Sequence, residues 1–216
     1  MRILFLIIFT LACLGNVVAQ ALDISSGGNP TITGSLGGSV SGGSTIQSDL
    51  AFTVNFGEIS PVNTNNVVKV TLPVGIRTTQ PYQVTATLTG PVSGNPQALS
   101  TSDVGFGVLN MRDMGPQASN CVSPHIFNPA FNADPTVGMF LAANGRVGYL
   151  SSLSGVTTST LILKGPRATH NNNPNRQGND GKIFDVVLAV APQYYAAGSQ
   201  TWTIVFTISA GPNVPC

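Results

Sequence analysis

The chain has 216 residues, of which 42% are hydrophobic, 7% aromatic and only 8% charged, with 9 basic side chains against 8 acidic ones. That charged fraction lies far below the roughly 25% of ordinary soluble domains. Its even balance gives no electrostatic reason to bind nucleic acid or an anionic membrane. Polarity carried by Ser, Thr, Asn and Gln instead favours surfaces that associate.

At the N-terminus Arg2 is followed by the apolar run ILFLIIFTLACL, and Val17, Val18 and Ala19 supply the small residues a signal peptidase reads. Spanning a bilayer takes about 20 apolar residues, so residues 1–19 are expected to be a cleaved export signal, with cleavage before Gln20. The rival is a lipoprotein signal at Cys13, which Thr10 and Leu11 fit poorly. No later run reaches membrane length, so no integral membrane span is expected. Removing 19 residues from 216 leaves 197, and loss of Arg2 leaves 8 basic against 8 acidic groups. The expected location is the cell surface or the medium, reached through the periplasm.

Residues 20–47 form a Gly/Ser-rich arm. In NPTITGSLGGSVSGGSTI the apolar residues Ile32, Leu36, Val40 and Ile46 all fall on even positions, with Gly34 and Gly38 between them. Extended, residues 31–40 would project Ile32, Leu36 and Val40 from one face over about 27 Å. Glycine inside a strand costs roughly 0.5 to 1 kcal/mol relative to alanine, so such an arm needs a sheet edge to hold it. Three readings follow: a strand that docks in a partner, the first strand of its own domain, or a loose tail.

Residues 48–216 read as one β-sandwich domain. Leu50, Phe52, Val54 and Phe56 alternate with polar or small residues. The same period of two recurs at Val68, Val70 and Leu72, at Tyr82, Val84, Ala86 and Leu88, at Val104, Phe106 and Val108, and at Trp202, Ile204, Phe206 and Ile208. TSTLILKG adds a strand, and KIFDVVLAV is apolar on both faces. SPVNTNN, GPVSGNPQ and HNNNPNRQGNDGK carry turn chemistry. The stretch 111–149, with Pro116, Pro124, Pro129 and Pro135, reads as a long irregular excursion.

Once the signal is removed, Cys121 and Cys216 are the cysteines that remain. In an exported chain they allow one intramolecular bridge; the alternative is two free or intermolecular thiols. Neither has the spacing of a metal site, and no metal or cofactor is expected. His125 and His170 sit in Pro- or Asn-rich loops and read as solvated. Glu58 follows the end of a strand, and LSSLSG lacks the nucleophile elbow, so no enzyme is expected. Asp134, Asp180 and Asp185 with Asn179 could offer oxygen ligands to calcium, but without the spacing of a calcium loop. Tyr194 and Tyr195, with Phe127 and Phe131, could form an aromatic platform for a glycan or seal the end of the sandwich.

The export signal, the alternating Gly-rich arm, the low-charge β domain and the final strand in AAGSQTWTIVFTIS together resemble the chaperone-usher pilins and the related spore coat protein U group. The resemblance implies an immunoglobulin-like β-sandwich that lacks one strand. A periplasmic chaperone lends that strand until the arm of the next subunit replaces it in a homopolymer delivered by an outer-membrane usher. It makes Ile32, Leu36 and Val40 the docking knobs, with Gly34 beside them and Gly38 permitting close entry. It places Trp202, Ile204, Phe206 and Ile208 on the strand that borders the groove. Two features depart from that pattern: the cysteines lie late in the chain, and GPNVPC continues beyond Ser209. The function implied is a structural subunit of an extracellular filament or coat. A secreted carbohydrate-binding adhesin is the alternative, with a hydrolase behind it.

Overall fold

Alternation with a period of two makes a strand wherever one face can be buried, and residues 49–55 show the result. In a computed structural model that describes residues 22–43, 48–61, 66–90, 97–170, 180–196 and 200–216, Leu50, Phe52 and Val54 point into the core while Asp49 and Ala51 face solvent. The signal at 1–19, Cys13, Ile46 and Asn179 lie outside the described residues.

The strands are β1 (Leu22–Ser26), β2 (Thr31–Thr33), β3 (Ser39–Gly42), β4 (Asp49–Asn55), β5 (Val68–Thr78), β6 (Tyr82–Thr89), β7 (Gly105–Asp113), β8 (Ile126–Phe127), β9 (Phe140–Leu141), β10 (Val147–Gly148), β11 (Thr160–Gly165), β12 (Lys182–Val190) and β13 (Thr201–Ala210). One sheet has the order β1-β5-β12-β7, with β2 pairing to β5 as well; the second has the order β3-β4-β13-β6-β11-β8. Every pairing is antiparallel. The chain is therefore nearly all β, and its two sheets pack as a sandwich around one core. Among the described residues helix is limited to two short 3-10 turns, Thr101–Asp103 and Leu153–Gly155. Among the described residues no helix is long and apolar enough to cross a membrane.

Both sheets feed the core. Val68, Val70, Leu72, Val74 and Ile76 of β5 and Phe184, Val186, Leu188 and Val190 of β12 are buried in the same cluster as Phe52, Trp202, Ile204 and Phe206. Edge-to-face pairs fix its aromatic part: Phe52 on Phe206 at 6.4 Å and Phe56 on Trp202 at 6.0 Å, each worth about 0.5 to 1.5 kcal/mol beyond its buried area. The doubly apolar β12 lies between β5 and β7 in mid-sheet, where a strand covered on both faces reads as a continuous apolar run.

Cys121 and Cys216 are bonded to each other, with their Cα atoms 4.5 Å apart. The six residues after β13 thus reach back to the segment that follows β7. That segment is more ordered than its prolines suggest. Ser119 N–H donates to the Ala168 carbonyl at 2.9 Å, and His170 N–H donates to that of Gln117 at 3.0 Å.

Candidate functional site

The arm is where sequence pattern and tertiary structure meet most closely. β1 pairs with the far half of β5, from Leu22 opposite Thr78 to Ser26 opposite Val74. β2 pairs with the near half, from Thr31 opposite Thr71 to Thr33 opposite Lys69. The interruption falls at Pro73, which has no N–H to give to a strand alongside. Its carbonyl, on the same side, still accepts from Gly27 N–H at 2.9 Å. Residues 27–30 swing around the proline, and pairing resumes beyond it.

After β2 the arm turns. Gly34 and Gly37 hold φ of 76° and 72°, values that glycine adopts without the strain a side chain brings. Glu58 N–H donates to the Leu36 carbonyl at 2.9 Å, and the Ser35 hydroxyl donates to the Phe56 carbonyl at 2.5 Å. β3 then joins the other sheet, with Val40 opposite Val54. A Cβ on Gly38 would stand 2.6 Å from Ile32 Cδ1, so the absence of a side chain there admits close packing inside the arm itself.

The expectation of one extended strand presenting three knobs is corrected by this geometry. Ile32 and Val40 pack half-buried against the core of their own chain, from opposite sheets, while Leu36 rides outside the turn and is 51% exposed. The cause is local: two glycines with positive φ reverse the face order that a continuous strand would keep. The groove expected beside Trp202, Ile204, Phe206 and Ile208 is corrected too. β13 is hydrogen-bonded on both sides, by β4 and by β6, and these four side chains are buried core.

No family model, curated protein or solved structure matches the chain. The site therefore rests on its own geometry.

Next to the arm's turn lies a cleft of about 360 Å³, lined by Phe56, Glu58, Ile59, Leu99, Tyr195 and Gln200 among others. Tyr195 forms one wall. Its hydroxyl accepts from Gln193 Nε2 at 2.6 Å, the Arg146 guanidinium lies 5.2 Å from its ring centre, and burial pushes its phenol well above the ordinary value. Tyr194 points away and is 77% exposed. Of the platform expected at these two tyrosines, Tyr195 thus lines the cleft while Tyr194 lies in solvent. Phe127 and Phe131 are not part of it: Phe127 packs edge-on against Phe184 at 6.1 Å, and Phe131 against Phe106 at 5.2 Å.

The three aspartates weighed as calcium ligands are spent separately. Asp134 pairs with Lys69, Asp180 with Arg77 and Asp185 with Arg112. Burial raises the Asp134 carboxyl, but the Lys69 ammonium and the hydrogen bonds from Thr136 outweigh it and hold it below its ordinary range. Among the described residues no three His, Cys, Asp or Glu side chains gather as a metal would require. His125, read as a solvated loop residue, instead sits 2.8 Å from the fully buried Tyr82 hydroxyl. The buried pair Asp103–Arg146, at 2.9 Å, had no signal in the sequence beyond the charges themselves.

Proposed function

We propose that this chain is a structural subunit of an extracellular filament or coat, and that copies join by exchanging their N-terminal arms. The observation that carries the reading is the way β1, β2 and β3 hold the edges of both sheets by backbone pairing. An identical arm from a second copy meets the same hydrogen-bond partners, so exchange trades one set of bonds for an equal one. The export signal read at 1–19, the low charge and the Cys121–Cys216 bond support a role outside the cytoplasm. The partner in this reading is a second copy of the chain. A periplasmic chaperone and an outer-membrane usher enter only if the body cannot fold without an arm in place.

Cysteines at the cross-strand pair Thr31 and Thr71 test it. In assembled material from cells, oxidised Thr31→Cys/Thr71→Cys chains are expected to run as a covalent ladder on non-reducing gels, each arm linked to the next body. A single internally linked band from that assembled material would overturn arm exchange.

A further inference from the structure

The cleft beside the arm's turn joins two kinds of surface. Phe56, Leu99 and Tyr195 give it apolar walls, while Glu58, Ser60 and Gln200 give it hydrogen-bonding groups. At about 360 Å³ it falls within the range of small-molecule sites, roughly 300 to 1,000 Å³. Its walls are held from behind. Phe56 packs edge-on against Trp202 at 6.0 Å, and Leu99 is buried in the same core. The backbone of Glu58 is bridged to Leu36 of the arm. The Tyr195 hydroxyl is engaged by Gln193, and the Arg146 guanidinium lies against the ring without lining the cleft, so what Tyr195 presents there is uncharged ring surface. Gln200 differs from the rest. Its Oε1 is buried and accepts no hydrogen bond among the described residues, whereas buried side-chain oxygens are normally paired. The terminal torsion of a glutamine is broad, so the carboxamide can turn to meet a donor that enters the cleft.

We infer that this cleft binds a neutral sugar ring, with the C–H face of the sugar on Tyr195 and its hydroxyls on Gln200 and Glu58. The lining selects that class. Among the described residues no Lys, Arg or His lines the cleft, so an anionic ligand finds no counter-charge and meets the Glu58 carboxylate instead. A wholly apolar ligand would strip water from Glu58, Ser60 and Gln200 without replacing the hydrogen bonds. A simple cation would meet Glu58 as an exposed group, where a single ion pair contributes little. A peptide strand adds through a free sheet edge, and the backbone here is already bridged between Leu36 and Glu58. What fits is a ligand with one apolar face and an edge of hydroxyls. A pyranose has both, and its hydroxyls donate to the two planar acceptor groups, a carboxylate with about four acceptor sites and a carboxamide that also donates.

This site goes beyond the reading of the chain as a filament subunit and does not rest on it. The Leu36 carbonyl that braces Glu58 serves equally whether the arm belongs to the same chain or to a second copy. Saturation-transfer NMR on the purified chain tests the site, with the methyl glycosides of glucose, galactose and mannose and with N-acetylglucosamine as probes. At least one of these is expected to receive saturation and to bind with a Kd of about 0.1 to 10 mM. Gln200→Ala and Tyr195→Ala are expected to weaken that binding at least about tenfold, while Tyr195→Phe, which keeps the ring, and Tyr194→Ala, outside the cleft, bind within about threefold of wild type. Gln200→Ala and Tyr195→Phe carry the test should Tyr195→Ala fail to fold. Inorganic phosphate and methylammonium serve as charged competitors, and neither is expected to displace the sugar. Silence from all the sugar probes at about 50 mM, binding that Gln200→Ala leaves unchanged, or displacement by either charged competitor would each overturn the inference. None of these outcomes bears on arm exchange, which the Thr31–Thr71 ladder reads separately.

Discussion

The Tyr82 hydroxyl and His125 Nδ1 are 2.8 Å apart, at the place where β6 begins and the segment after Cys121 folds over it. Tyr82 is fully buried, and burial holds its phenol protonated far above the ordinary value. Burial likewise lowers His125 from 6.5 to about 4, helped by the charge of Lys182 and opposed by that of Asp113. Protonation makes Nδ1 a donor, so the phenol would have to accept and turn its own proton into packed core.

The sign of the pH effect follows from that depressed value. Between about 4 and 6.5 the unfolded chain binds a proton that the native state does not. The contribution is complete above 6.5 and is lost as pH falls toward 4. With allowance for the part of the ring left in solvent, its size is on the order of 1 to 2 kcal/mol. Denaturant melts from about pH 7.5 to about 4 should show this loss, and His125→Phe should remove it. An unchanged pH slope in the variant would count against the buried neutral imidazole.

The Cys121–Cys216 bond closes a loop with a sequence separation of 95 residues. Loop-closure entropy assigns such a crosslink up to about 4 to 5 kcal/mol, and native strain reduces it. Cys216→Ser is expected to lower the melting temperature and release the residues after β13 to protease while the core strands stay protected. Non-reducing peptide mapping should recover a single linked pair. Free thiols on both residues of the folded protein would refute the assignment.

Burial also reorders the importance of the arm's residues. Ile24, not one of the alternating knobs, is fully buried in the core, whereas Leu36 is half exposed. An unpaired charge at position 24 should cost several kcal/mol, and one at position 36 no more than about 0.5 kcal/mol. Urea midpoints of monomeric Ile24→Asp and Leu36→Asp measure the contrast directly. Equal destabilisation by the two would mean that the arm does not lie on its own sheets.

Some of this architecture was legible before any coordinates. Leu50, Phe52 and Val54, and Trp202, Ile204, Phe206 and Ile208, announce strands and their inward faces because a strand's side chains alternate with a period of two, a local property. KIFDVVLAV announces a strand buried on both sides for the same reason. The disulfide was legible by elimination once residues 1–19 were read as a cleaved signal. Asn144–Gly145 even marks the turn between β9 and β10 within the proline-bearing stretch 111–149.

The rest was decided by tertiary structure. Every backbone offers the same N–H and C=O groups, so the pattern of residues 31–40 could specify extended chain but not which sheet edge receives it. That choice came from Pro73, which breaks the pairing of β5, and from Gly34 and Gly37, which turn the arm from one sheet to the other. Whether β13 lies at an edge or in mid-sheet depends on β4 finding it from far along the chain, and alternation carries no record of neighbours. The same holds for Tyr194 and Tyr195: adjacency in sequence does not say that one ring lines the cleft while the other is left in solvent, because that depends on what packs around each.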